Sequence, residues 1–147
     1  MLDNRYSINE NHICKNQNKV TTDIINNAMK YLGAPYMWGG RSPFGIDCSG
    51  FTQVVFGMCG ITLKRDAYLQ AELGNTIDFI NETKTGDLVF FDNDESKITH
   101  VGIMIEDKQI IHASGEVRID SIDHNGIYNE NAKKYSHKLR IIKRIID

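Results

Sequence analysis

A cysteine followed at a distance by two histidines is the part of this sequence equipped to make and break covalent bonds. Cys48 lies in Asp47-Cys48-Ser49-Gly50, and the apolar Phe51, Val54, Val55 and Met58 that follow recur at helical spacing, which predicts a helix with the thiol on its first turn. The free N–H groups and partial positive charge of a helix start favour thiolate over thiol, lowering a cysteine pKa from about 8.5 to roughly 3.5–7.5 when a histidine assists. His100 and His112 fall in a strand-rich stretch. A nucleophilic cysteine needs a base within hydrogen-bond reach, and the base needs a third polar group to orient its ring. Cys48, His100 and His112 can fill those roles as nucleophile, base and orienter. Taken singly, each also reads as an ordinary buried residue. A zinc site on the same three side chains is chemically open, although no short ligand pair such as HExxH accompanies them.

If the two histidines touch, they must share a face of their sheet, and side chains alternate faces along a strand. A plain two-residue turn at Asp107-Lys108 would put His100 and His112 on opposite faces. The pairing therefore requires a three-residue loop or a bulge between Ile105 and Ile110.

The elements that must hold these residues can be read in outline. A first helix is expected from Thr21 or Thr22, with Ile25, Ala28, Met29 and Leu32 on one face and Gly33 and Pro35 stopping it. Residues 1–20 read as a loosely packed leader or the tail of an upstream segment, and 21–147 as one domain. Pro35 to Gly45, with Gly39-Gly40, is a tight loop feeding the Cys48 helix; no phosphate-loop pattern accompanies it. Ile61 and Leu63 suggest a short extended piece, and Asp66 caps a brief helix through Leu73 that Gly74 ends. Strands are expected at Asp87–Phe91, Thr99–Glu106, Gln109–Ser114 and Leu139–Ile146. Helices first and strands later, with short links, indicate an α+β fold with N-terminal helices packed on a mainly antiparallel sheet.

Composition narrows the partner. With 147 residues, 41% hydrophobic content and a net charge of -2, the chain suits one globular core and offers no basic stripe for nucleic acid. No window is apolar enough for a membrane span, and the polar start lacks a signal-peptide core. As written it is expected in the cytoplasm, or in the periplasm or outside the cell if an upstream signal is missing. The three cysteines, Cys14, Cys48 and Cys59, fit no disulfide framework; Cys59 reads as a packed small hydrophobe. His12, His124 and His137 lie in polar stretches and are expected to be solvated. The basic C-terminus, interleaved with Leu139, Ile141 and Ile142, reads as a paired strand with a charged outer face. A small or peptide-like partner remains.

Four blocks in order, Pro35-Tyr-Met-Trp-Gly-Gly40, Asp47-Cys-Ser-Gly-Phe51, Gly86-Asp-Leu-Val-Phe-Phe91 and His100-Val-Gly-Ile103 followed by Ile111-His-Ala113, resemble the NlpC-type papain-like peptidases that cut bacterial cell-wall peptides. The likeness runs over roughly residues 21 to 147, and Ser42 to Cys48 is close to the branch releasing dipeptides from muropeptides. It implies a papain-like fold, a peptidoglycan-derived peptide substrate cut between γ-D-glutamate and a diamino acid such as diaminopimelate, and no cofactor or metal. It casts Cys48 as nucleophile, His100 as base, His112 as orienter and Tyr36 as a polar contact near the site. Asp47, Ser49 and Asp66 would bind the substrate's free amino terminus, although the first two also suit a helix start and Asp66 an N-cap. Trp38 reads as a wall of the groove or part of the core. Members of that branch usually carry upstream SH3-like domains, for which this chain has no room. An amidase or acyltransferase using the same three residues, and a non-enzymatic wall-peptide binding module, are the rival readings.

Overall fold

The structure, a computed structural model, describes residues 10–106 and 108–146. The first helix, α1 (Glu10–Met29), runs through Thr21 and Thr22, so neither threonine caps it and the helix begins earlier than expected. Thr22 instead turns its hydroxyl back onto the Asn18 carbonyl at 3.1 Å, which lets a threonine sit within a helix. Residues 1–9 of the expected leader, and the side chains of His12 and Cys14, lie outside the described residues. The buried face is Ile24 and Ala28, joined past the helix end by Tyr31, while Met29 and Leu32 are exposed. The helix stops at Met29, so Leu32 leaves the expected stripe, and Tyr31 turns in to meet the Phe51 ring edge-on at 6.1 Å.

A small antiparallel hairpin, β1 (Arg41–Ser42) and β2 (Gly45–Ile46), leads into α2 (Cys48–Gly57). The following helix, α3 (Ala67–Gln70), is shorter than expected. Gln70 is fully buried. It donates to the Ser49 carbonyl at 3.1 Å and the Lys64 carbonyl at 2.7 Å, and accepts from Thr52 at 2.7 Å. A single buried amide thus ties α3 to the first turn of α2, with its polar atoms satisfied.

Seven strands follow: β3 (Asn75–Ile77), β4 (Leu88–Asp92), β5 (Ile98–Met104), β6 (Gln109–Ser114), β7 (Glu116–Asp123), β8 (Gly126–Asn129) and β9 (Lys134–Arg144). Their order is β3-β9-β4-β5-β6-β7-β8, and β8 also pairs with β9, so β4 to β9 close on themselves. The antiparallel sheet was expected; β3, β7, β8 and the closure were not. The long β9 makes closure possible, since Lys134–Lys138 pairs with β8 and Lys138–Lys143 with β4. One apolar cluster, including Phe91, Met104, Ile110, Ile122 and Ile127, fills the inside of this barrel. A larger one joins Leu88, Phe90, Val101, Ile103 and Ile111 to Ile24, Phe51 and Phe56 of the helices. Strands buried on both faces read as unbroken apolar runs, as Leu88–Phe91 does.

Along β5 and β6 the register is Gly102↔His112, Ile103↔Ile111 and Met104↔Ile110. The Ile105 N–H donates to the Gln109 carbonyl at 3.0 Å, which leaves residues 106–108 at the turn, with Lys108 at φ 57°. This is the three-residue loop that the histidine pair requires, closed by a left-handed residue; Asp107 itself lies outside the described residues. His100 and His112 accordingly share the face of Met104 and Ile110.

Candidate active site

Asp47 is the N-cap of α2, its Oδ1 accepting the Gly50 N–H at 2.7 Å, and Cys48 is the first helical residue. The thiol packs against β5 and points at the Thr99 carbonyl, 3.7 Å away. Thr99 is the extra residue of a bulge, because β4 pairs Phe91 with His100 and Asp92 with Ile98. The bulge lets the strand bend beside the site and brings the backbone flanking His100 to the sulfur.

From His100 a buried polar chain runs across three strands. His100 Nε2 lies 2.8 Å from His112 Nδ1, with the rings nearly perpendicular, and His112 Nε2 lies 2.7 Å from Asp120 Oδ2. The three residues are 6%, 1% and 8% exposed. Arg118 closes the chain, Nη2 donating to Asp120 Oδ1 at 3.0 Å and Nε making an ion-pair contact of 2.9 Å with Oδ2. His100 and His112 are thus brought together as the sequence suggests, and Cys48 lies against the backbone that flanks His100. Asp120 and Arg118 were missed. Their signal was the alternation Arg118-x-Asp120-x-Ile122 on one face of β7, with Arg118 directly across from His112.

His137 was also misread. It is not solvated but stacked on His100, centroids 4.0 Å apart and planes 20° from parallel. Burial pushes its pKa down to about 4, with His112 adding and Asp120 opposing. Burial likewise drives His100 well below the ordinary imidazole value, helped by His137 and His112. The Cys48 thiol moves the other way from the expectation of a helix start: burial pushes it up and Asp47 adds, against lowering by the N–H groups of Val101, Ser49 and Cys48 itself. The helix start does pull toward thiolate, but desolvation of the charged sulfur outweighs it. Burial also pushes the Asp120 carboxyl up, yet the hydrogen bonds from His112 and Arg118 prevail and hold it below the usual range.

The cleft over Cys48 has a volume of about 450 Å³, and its walls include Tyr36, Trp38, Asp47, Ser49, Arg65, Asp66, Tyr68 and Thr99. Trp38 is 88% exposed and is a wall, not core. Arg65, also unforeseen, grips Asp47 with both terminal nitrogens, at 3.1 and 2.8 Å, and donates to Ser49 Oγ at 2.9 Å. The Gly39 N–H also donates to Asp47 Oδ2 at 2.9 Å. Asp47 is therefore charge-compensated and fully bonded. Burial raises its carboxyl, but Arg65 and the Gly50 and Gly39 N–H groups hold it low. Asp66 sits at the N-cap position of α3 without a side-chain cap bond, so its expected capping role is not filled. Tyr36 stays a phenol: burial and the negative sides of Cys48 and Asp47 raise its pKa, against Arg65.

Among the described residues, the group whose donor atoms could gather on a metal is His100, His112 and His137, within 4.8 Å of one another, and not the set with Cys48. A tetrahedral ion wants nitrogens about 3.4 Å apart with free lone pairs. Here His112 already has both nitrogens engaged, by His100 and by Asp120.

A thiol on a helix start, set against a barrel strand that carries a buried imidazole pair, defines a papain-like fold. A family model for the NlpC/P60 family matches residues 33–137. The chain belongs to that family. It is 40% identical over 111 residues to a gamma-D-glutamyl-L-lysine dipeptidyl-peptidase of Bacillus cereus, an alignment covering 71% of this chain and 33% of the relative. The chain thus spans about a third of the length of that curated relative. Among solved structures, an NlpC/P60 family protein from Bacillus cereus superposes with a TM-score of 0.72 at 32% identity, covering 86% of this chain and 40% of the other. The NlpC/p60 domain of the peptidoglycan hydrolase SagA does so with 0.62 at 35% identity, covering 69% and 88%. Among the described residues, no helix is long and apolar enough to cross a membrane.

Proposed function

We propose that this chain is a cysteine peptidase that hydrolyses the bond between γ-D-glutamate and a diamino acid, lysine or diaminopimelate, in peptides derived from peptidoglycan. The observation that carries the reading is a thiol at the start of α2, held against the backbone on either side of a histidine whose ring is hydrogen-bonded to a second at 2.8 Å. The names of the relatives support the bond and the substrate.

With burial raising the thiol and lowering the imidazole, both partners rest uncharged. His100 takes the thiol proton as the sulfur attacks the γ-glutamyl carbonyl, so charge separates during the reaction and not before it. The developing oxyanion meets the Cys48 N–H, which as the first helical N–H has no carbonyl partner within the helix, and the Tyr36 hydroxyl. The imidazolium protonates the leaving amine of the diamino acid, and water activated by the same base releases the acyl group. Asp66, bonded to no cap, would receive the substrate's ammonium group, while Asp47 and Ser49, anchored by Arg65, shape the cleft floor. The upstream SH3-like domain belongs to the same proposal, since Trp38 and Tyr68 on the cleft walls, 88% and 55% exposed, present surface for it to cover.

The test is mass spectrometry of products from defined muropeptides beside Cys48→Ala. Cleavage after γ-D-glutamate that vanishes in the variant is the expected result. Intact peptides with the unaltered protein, or acyl transfer without hydrolysis, would overturn the assignment.

A further inference from the structure

The chain of polar groups behind His100 does not end at its partner histidine but continues through Asp120 to Arg118. We propose that Asp120, held by Arg118, is a positioning residue that fixes the tautomer of His100 through His112. This rests on reading Cys48 and His100 as nucleophile and base.

A carboxylate paired with a guanidinium can only accept hydrogen bonds, so the 2.7 Å contact with His112 requires the proton on His112 Nε2. The Asp120 charge is already matched by Arg118, which leaves no second counter-ion for a charged His112 ring that is 1% exposed. His112 is therefore neutral and presents a lone pair at Nδ1. The 2.8 Å contact next to it then requires that His100 donate, putting the His100 proton on Nε2. Only Nδ1, the ring nitrogen nearest the main chain, is left with a lone pair, and the thiol is held against that main chain at Thr99 and Val101. Without a fixed acceptor at the far end, the reverse arrangement, with His112 donating from Nδ1 and His100 protonated toward the thiol, satisfies the same two rings equally well. Asp120 removes that degeneracy.

Arg118 has a separate duty. If it is removed, the Asp120 charge becomes available to stabilise an imidazolium at His112, which would donate to His100 Nε2 and occupy the base with a proton on the wrong nitrogen. Among the described residues, His137 of β9 also faces this chain, stacked on His100, while Cys48 of α2 lies against the Thr99 carbonyl.

The experiment combines nitrogen-detected NMR of histidine tautomers in the intact chain with pH profiles of kcat/KM and of Cys48 alkylation by iodoacetamide. In the unaltered protein His100 and His112 should both carry their proton on Nε2. Asp120→Asn, whose amide can donate as well as accept, should populate the Nδ1–H form of His100 and lower kcat roughly 10- to 100-fold with little change in KM. Asp120→Glu should recover part of the loss. Arg118→Met should move the acid limb of both profiles to higher pH. An Nδ1–H tautomer of His100 in the unaltered protein, or Asp120→Asn with unchanged tautomers and kcat, would overturn the proposal. If Asp120→Asn fails to fold, the spectrum of the unaltered protein decides. Tautomers and alkylation need no peptide, so failure to cleave muropeptides would count against the functional reading alone.

Discussion

Buried imidazoles next to a buried thiol make this site sensitive to acid, and the sign follows from His137. Its native pKa of about 4 lies below the ordinary value of 6.5. As pH falls from 6.5 toward 4, the unfolded chain takes up a proton that the native state refuses, so stability drops across that window. Above pH 6.5 both states are neutral there and the effect is absent. The full shift corresponds to on the order of 3 kcal/mol, about 2 of which are lost by pH 5. His137→Phe keeps a ring on His100 and removes the proton. Urea unfolding at pH 7.5 and pH 5 should show a smaller loss in this variant than in the parent; equal losses would refute the account. Asp47 and Asp120 act at lower pH, because their depressed values give stability that is present above the ordinary carboxylate range and lost as pH falls through it.

The histidine pair depends on how β5 and β6 meet. Gly102 faces His112, and a Cβ at Gly102 would stand 2.9 Å from the His112 Cβ and 2.7 Å from Ile110 Cδ1. The Ile110 end can swing away, but the His112 Cβ is fixed to its strand. Gly102→Ala should therefore push β6 outward and lengthen the imidazole contact, costing about 1–3 kcal/mol of stability and lowering kcat more than KM. Denaturant titration and steady-state kinetics check both halves; retained kcat would show that the pair tolerates the shift. The sequence marked this strand pair well, because alternation and the sharing of a face together demanded the odd loop. It marked β7 poorly. Val117 and Ile119 lie on one face with Arg118, Asp120 and Ile122 on the other, so neither face read as the inside.

At the scale of the molecule, barrel closure is what joins the site into one unit. β9 carries His137 to the ring of His100 while pairing with both β4 and β8. The closing seam passes Gly126, at φ 141°, where a Cβ would collide with the His137 carbonyl oxygen. Gly126→Ala should part β8 from β9 and cost more than the roughly 0.5–3 kcal/mol of an ordinary point change. Thermal unfolding would show it as a lowered Tm, together with weakened His137 stacking in the histidine NMR signals. An unchanged Tm would mean that the seam is not under this constraint.

Residue types and periodicity alone determined that a cysteine opens a helix, that two histidines lie on strands joined by an odd loop, and that helices precede an antiparallel sheet. These are local or parity properties, fixed by spacing along the chain. Tertiary structure decided the rest. Whether the Cys48 thiol is raised or lowered depends on how deeply α2 is buried, and which face of α1 is covered depends on where that helix stops. Asp120, Arg118, His137 and Arg65 join the site only because β7, β9 and the segment before α3 fold back onto it. Contacts between distant residues leave no period in a sequence, and so the proton chain behind His100 became visible only when the barrel closed.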